Sequence, residues 1–166
     1  MKYPTRKILF LSAVLSVLGA SSLTAADSNT EFKKEAFNYS EWAKGKFSEV
    51  VVVSNSRRTL YVAGVGSEDE NATGNAKILY PGDLYSQCKY AWDKIKRILE
   101  KQGASLSDVA KVTTYVTDTR AIFDGFKCRG EVFSGLPQPA GTLVGVTSLA
   151  WPGMMIEVDV IAEVGK

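Results

Sequence analysis

Two carboxylates one residue apart, Glu157 and Asp159, sit in the segment Ile156-Glu157-Val158-Asp159-Val160-Ile161-Ala162. Acids at i and i+2 in a β-branched run point to the same side of a strand, where one can take a proton from water as a general base. An ordinary half-exposed strand gives the same alternation, and Asp159 is read that way, while the spacing leaves Glu157 open between the two readings. Few other groups suit chemistry. The chain has no histidine, which removes Ser-His-Asp and Cys-His nucleophilic sites, imidazole bases and His-ligated zinc. Two cysteines, Cys88 and Cys128, without a Cys-x-x-Cys pair make a poor zinc shell, so no metal is expected. Gly64 and Gly66 lack the third glycine and the lysine of a phosphate cradle, and no cofactor is called for. Arg58, Arg120 and Arg129 are cations an anionic ligand could recruit, though each reads first as a solvated turn or helix charge.

The elements that must position these groups follow from periodicity. Glu49–Ser54 holds four consecutive valines and reads as a strand, Asn55–Arg58 as a turn, and Thr59–Val65 as a second strand. Asp83 is an N-cap candidate for a helix carrying Leu84, Cys88, Ala91, Ile95 and Leu99 on one face, ended by Gly103. Asp108–Thr117 is a third strand, and a second helix runs from Asp118 or Thr119 to Phe133 with Ile122, Phe126 and Phe133 inward. Thr142–Ser148 and Met154–Val164 close the chain as strands joined by a Trp151-Pro152-Gly153 turn. The order β-β-α-β-α-β-β implies one mixed α+β sheet with both helices on one face. The other face, carrying Val51, Val53, Val112, Val144 and Val146 or their alternates, is then left for a second copy. Cys88 and Cys128 fall in different helices, as a disulfide if those helices are neighbours in phase, or as two buried thiols.

The chain of 166 residues suits one domain, with 45% hydrophobic and 23% charged residues. Lys2, Arg6 and Lys7 precede the uncharged run Ile8–Leu23, and Thr24-Ala25-Ala26 offers the small residues of a cleavage site. That is the pattern of a secretory signal peptide over residues 1–26, cleaved near Ala26 or retained as an anchor; the run is short for a bilayer crossing. Cleavage implies a periplasmic or secreted protein with no membrane attachment. It removes three of 20 basic residues and leaves 17 against 18 acidic ones, so no nucleic-acid partner is expected. Residues 27–44 are mixed and polar and read as an arm with at most one helical turn, ahead of the domain at 45–166.

Several segments carry a resemblance. Leu60-Tyr61-Val62-Ala63-Gly64, Ile95–Gly103, Asp108 through Asp118, Pro139-Ala140 and Ile156 through Ala162 together resemble the Rid (YjgF-type) family, from about residue 45 to 164. The resemblance implies a chorismate-mutase-like α+β protomer, a homotrimer, and a small-molecule cleft at each interface. In the deaminase members an arginine directly after Pro-Ala binds the carboxylate of a 2-imino or 2-enamino acid, and a glutamate of the last strand, matched by Glu157, helps to activate water. Here Gly141 follows Pro139-Ala140, Phe47 replaces the tyrosine of the first loop (Gly45-Lys46-Phe47-Ser48), and Ala63 stands where a serine is common. The expected ligand-binding residues are Gly141, Thr142 and Leu143, with Tyr115 and Trp151 as apolar walls. The loss of the arginine makes a small-metabolite-binding role the first expectation, with imine or enamine deamination through another cationic anchor as the alternative.

Overall fold

A computed structural model describes residues 30–166; the signal segment expected over 1–26 lies outside them. Six strands and two helices follow one another as β1 (Lys33–Phe37), β2 (Val50–Ser54), β3 (Arg58–Val65), α1 (Leu84–Lys101), β4 (Val109–Val116), α2 (Ile122–Val132), β5 (Ala140–Gly145) and β6 (Ile156–Val164). Single 3-10 turns at Leu106–Asp108 and Thr119–Ala121 lead into β4 and α2. The main sheet has the order β3-β6-β4-β5. Its central strand β6 is antiparallel to both neighbours, whereas β4 and β5 are parallel, as a helical crossover between them requires.

Helix α1 begins where expected. The Asp83 carboxylate accepts from the Ser86 backbone N–H at 3.0 Å, satisfying one of the donors a helix start leaves open. Its apolar stripe buries Leu84, Ala91, Trp92, Ile95 and Leu99 against Val112, Val116, Val158, Val160 and Ala162 of the sheet. Each such side chain contributes about 1.5–3 kcal/mol relative to exposure. Trp92 meets Phe133 edge to face at 5.1 Å. Helices α1 and α2 are neighbours, and Cys88 and Cys128 are bonded between them with Cα atoms 6.3 Å apart.

Four expectations need correction. Residues 33–37 form β1, which pairs with β2 from Lys33↔Ser54 to Phe37↔Val50, so the expected arm contributes a strand. The four valines dictate this: their backbone needs a partner, and Lys34 anchors the pair by donating to the carbonyls of Ser107 and Val109. The expected single sheet is therefore a four-stranded sheet with a separate two-stranded ribbon, because the turn at Asn55 (φ 57°) leads β3 away to β6. Val112 is fully buried under the helices, and the uncovered face carries its alternates Lys111, Thr113 and Tyr115. That face is polar rather than valine-lined. Phe126, expected inward, is 52% exposed.

Candidate functional site

The strand register divides the candidate residues into two groups. Tyr115 of β4 stands between Glu157 of β6 and Val144 of β5, and Thr113 stands between Asp159 and Thr142, so all of them share the open face. Tyr115 donates its hydroxyl to Asp159 at 3.2 Å, which holds the phenol above its ordinary pKa through the neighbouring negative charge. Thr142 turns its hydroxyl to the same face, where the Lys111 ammonium donates to it.

Glu157 folds back over Gly64 of β3. A Cβ at Gly64 would lie 1.9 Å from Glu157 Oε1, so only glycine lets the carboxylate occupy this place. Burial raises the Glu157 pKa above the ordinary carboxylate value, and the negative charges of Glu68 and Asp159 add to the shift. Glu68 is itself fixed: its carboxylate accepts from the Gly66 N–H at 3.0 Å and from Lys94 at 2.9 Å, a largely buried pair that ties the loop after β3 to α1. A carboxyl held partly desolvated beside other acids is a proton acceptor poised above its usual range.

The second group gathers at the start of β5. Ser48 bridges to Ala140, its N–H donating to Pro139 O at 3.0 Å and its hydroxyl to Gln138 O at 2.6 Å. This lays the segment Phe47-Ser48 beside Pro139-Ala140-Gly141, two motif pieces far apart in sequence. Facing them from α2 is Arg129, whose Nη2 donates to Pro139 O at 3.2 Å. A Cβ at Gly141 would lie 2.6 Å from Arg129 Nη1 and 3.1 Å from Phe47 Cβ. Arg129, Thr142 and Leu143 line a narrow cavity between α2 and the sheet, floored by Trp92 and Ile156 and rimmed by exposed Phe126. Burial lowers the Arg129 pKa to about 10, leaving it a full cation at neutral pH.

One chain does not bring the two groups together. Gly141 is in register with Val112 and so faces the helices, whereas Glu157 is in register with Tyr115 on the open face. With β4 between β5 and β6, the two positions are separated by about 10 Å across the sheet and about 10 Å along it. Of the expected ligand-binding residues, Gly141 and Leu143 belong to the β5 group, whereas Thr142 lines that cavity but turns its hydroxyl to the open face. Tyr115 belongs with Glu157. Trp151 lies in the loop beyond the far end of β5, held there by Gln87, which donates to Gly153 O and accepts from Met155 N. Sequence reasoning did not single out Gln87, Glu68 or the cavity residue Trp92, placed Phe126 inward, and weighed Arg129 both as a recruitable cation and as a helix-surface charge. The bare Cα at Gly141, facing the helix layer, was the signal for Arg129. Among the described residues no cluster of three or more Cys, Asp or Glu is placed to hold a metal.

A four-stranded mixed sheet with two helices on one face, Gly64 under a last-strand glutamate, and a first loop bridged to Pro139-Ala140 define one protein class. The chain belongs to the endoribonuclease L-PSP family, which it matches over residues 39–164. It is 36% identical over 121 residues to a RutC family protein of Pyrococcus abyssi, covering 71% of this chain and 86% of that one. It is 33% identical over 109 residues to a 2-iminobutanoate/2-iminopropanoate deaminase of Dermatophagoides farinae, covering 63% and 76%. Among solved structures it is similar to the conserved Rid family protein YyfB of Yersinia pestis, with a TM-score of 0.69, 26% identity, and 79% and 98% of the two chains covered.

Proposed function

We propose that the chain is an exported, trimeric imine or enamine deaminase, taking a small metabolite into a cleft that two copies complete and hydrolysing its C=N bond there. The observation that carries this reading is the division of the site: a poised acid, Glu157 over Gly64, on the open face, and a polar-edged cavity at the opposite strand β5. A neighbouring copy that presents its β5 to the β3–β6 side of the first puts both groups on one ligand. Glu157 takes a proton from water as the oxygen attacks the C=N carbon and passes it to the nitrogen; it then carries the carbinolamine hydroxyl proton to the amine as the C–N bond breaks. The imine and one water then leave as a carbonyl compound and ammonia. The likeness to a 2-iminobutanoate/2-iminopropanoate deaminase supports this chemistry. Export is supported by the leader pattern of residues 1–26 and by the Cys88–Cys128 bond, which persists in oxidising compartments.

A second reading, ligand binding without turnover, is favoured by Gly141 standing where the resemblance places an arginine. One experiment separates the two. The protein purified after export is mixed with freshly generated 2-iminobutanoate, and ammonia release is followed beside the uncatalysed reaction and a Glu157→Gln variant. Acceleration lost in the variant is expected. Tight binding of the product 2-oxobutanoate without acceleration would establish the binding reading instead.

A further inference from the structure

We propose that Arg129 is the anion anchor of this site, reaching from α2 into the space a side chain at Gly141 would fill, and that the ligand it selects is a small planar carboxylate. The inference rests on the cleft reading above and names what that cleft recognises. Three arginines were candidates, and their partners divide them. Both terminal nitrogens of Arg58 donate to Gln102 O. Arg120 makes two hydrogen bonds to Asp118 from an exposed position. Arg129 differs from both: it is largely buried, it donates to the single backbone carbonyl of Pro139, and its Nε is buried without a partner. Among the described residues no carboxylate forms an ion pair with it. A desolvated guanidinium with unused donors is costly to fold around and is relieved by a bound anion. Its planar fork matches a carboxylate in two parallel hydrogen bonds, which a lysine could not reproduce.

Gly141 is explained by the same contact. It sits in an ordinary strand of β5, so its backbone does not demand glycine; a Cβ there would stand 2.6 Å from the guanidinium and push it out of its present place. Absence of a side chain at 141 and presence of the arginine at 129 are thus one coupled arrangement. Thr142 and Leu143 of β5 line the same narrow cavity, whose rim carries the exposed Phe126. The guanidinium accounts for the carboxylate, and the cleft reading above supplies the 2-imino or 2-oxo group beside it.

The test is calorimetric titration of the purified protein with two probes of equal length, 2-oxobutanoate and butanone, in wild type, Arg129→Gln, Arg129→Lys and the exchange Gly141→Arg/Arg129→Ala. Wild type is expected to prefer the carboxylate. Arg129→Gln is expected to weaken 2-oxobutanoate by about tenfold to a hundredfold while butanone is unchanged, with Arg129→Lys in between and the exchange recovering much of the loss. Carboxylate affinity retained in Arg129→Gln overturns the proposal, and so does a wild type with no preference between the probes. If Arg129→Gln does not fold, Arg129→Lys is judged by the same rule. Butanone binding without carboxylate preference removes Arg129 as anchor and leaves the cleft reading standing. Binding of neither probe, with no turnover of the imine, removes both.

Discussion

Glu157 and Gly64 act as a pair. Gly64→Ala places a methyl where the carboxylate rests, so the variant is expected to fold with Glu157 swung away and turnover lost, which an ammonia-release assay beside a thermal melt checks. Glu157→Gln is expected to lower turnover by about 10²- to 10⁴-fold, the usual worth of a positioned base. The pH dependence has a definite sign. Burial raises the Glu157 pKa in the folded chain, so the base form is populated only above a value higher than 4.5, and the rate should climb through that range as pH rises. For stability the direction is opposite: a raised carboxylate favours the folded state at low pH and loses that contribution as pH rises through the folded value. Glu157→Gln should therefore melt no lower than wild type at neutral pH. Glu157 was legible because alternation in β6 marks its face. Arg129 was legible only as one of three candidate cations with Arg58 and Arg120, and the sheet's facing, which leaves it a berth beside Gly141, singles it out.

At the scale of elements, α2 holds the cationic half of the site and is secured at both ends. Cys88–Cys128, 40 residues apart, ties its inner face to α1 immediately beside Arg129. By the loop-entropy relation, replacing both cysteines with serine is expected to cost about 4 kcal/mol, seen as a lower urea midpoint, and to weaken 2-oxobutanoate binding as α2 loosens. The start of α2 depends on Asp118, which caps the preceding turn. The Arg120 side chain and backbone N–H hold its pKa down, from 3.8 to about 2. A depressed acid stabilises the fold above its unfolded value and loses that as pH falls through the folded one, so α2 should loosen between about pH 4 and 2. Amide exchange of α2 in wild type and in Asp118→Asn, which lacks the step, tests this. Helix α1 could be read from its apolar stripe alone. Strand β1 could not, because Lys33-Lys34-Glu35 shows no apolar alternation and is a strand only through its pairing with the valines of β2.

At the scale of the whole molecule, the family segments and the order of elements were legible, since they depend on local periodicity. What a single sequence does not display is which edge each candidate occupies: the motif pieces read as one cleft, while the register puts Glu157 and Gly141 on opposite faces with β4 between their strands. The most direct measurement co-expresses Glu157→Gln and Arg129→Gln chains and compares the mixed oligomers with each parent in the imine assay. If the site is shared, one copy supplies the base and its neighbour the anchor. With random mixing about a quarter of the clefts are then intact, so the mixture should recover about that fraction of wild-type turnover from two inactive parents. A mixture no more active than its parents would mean that each site is built within a single chain, and would contradict the shared cleft.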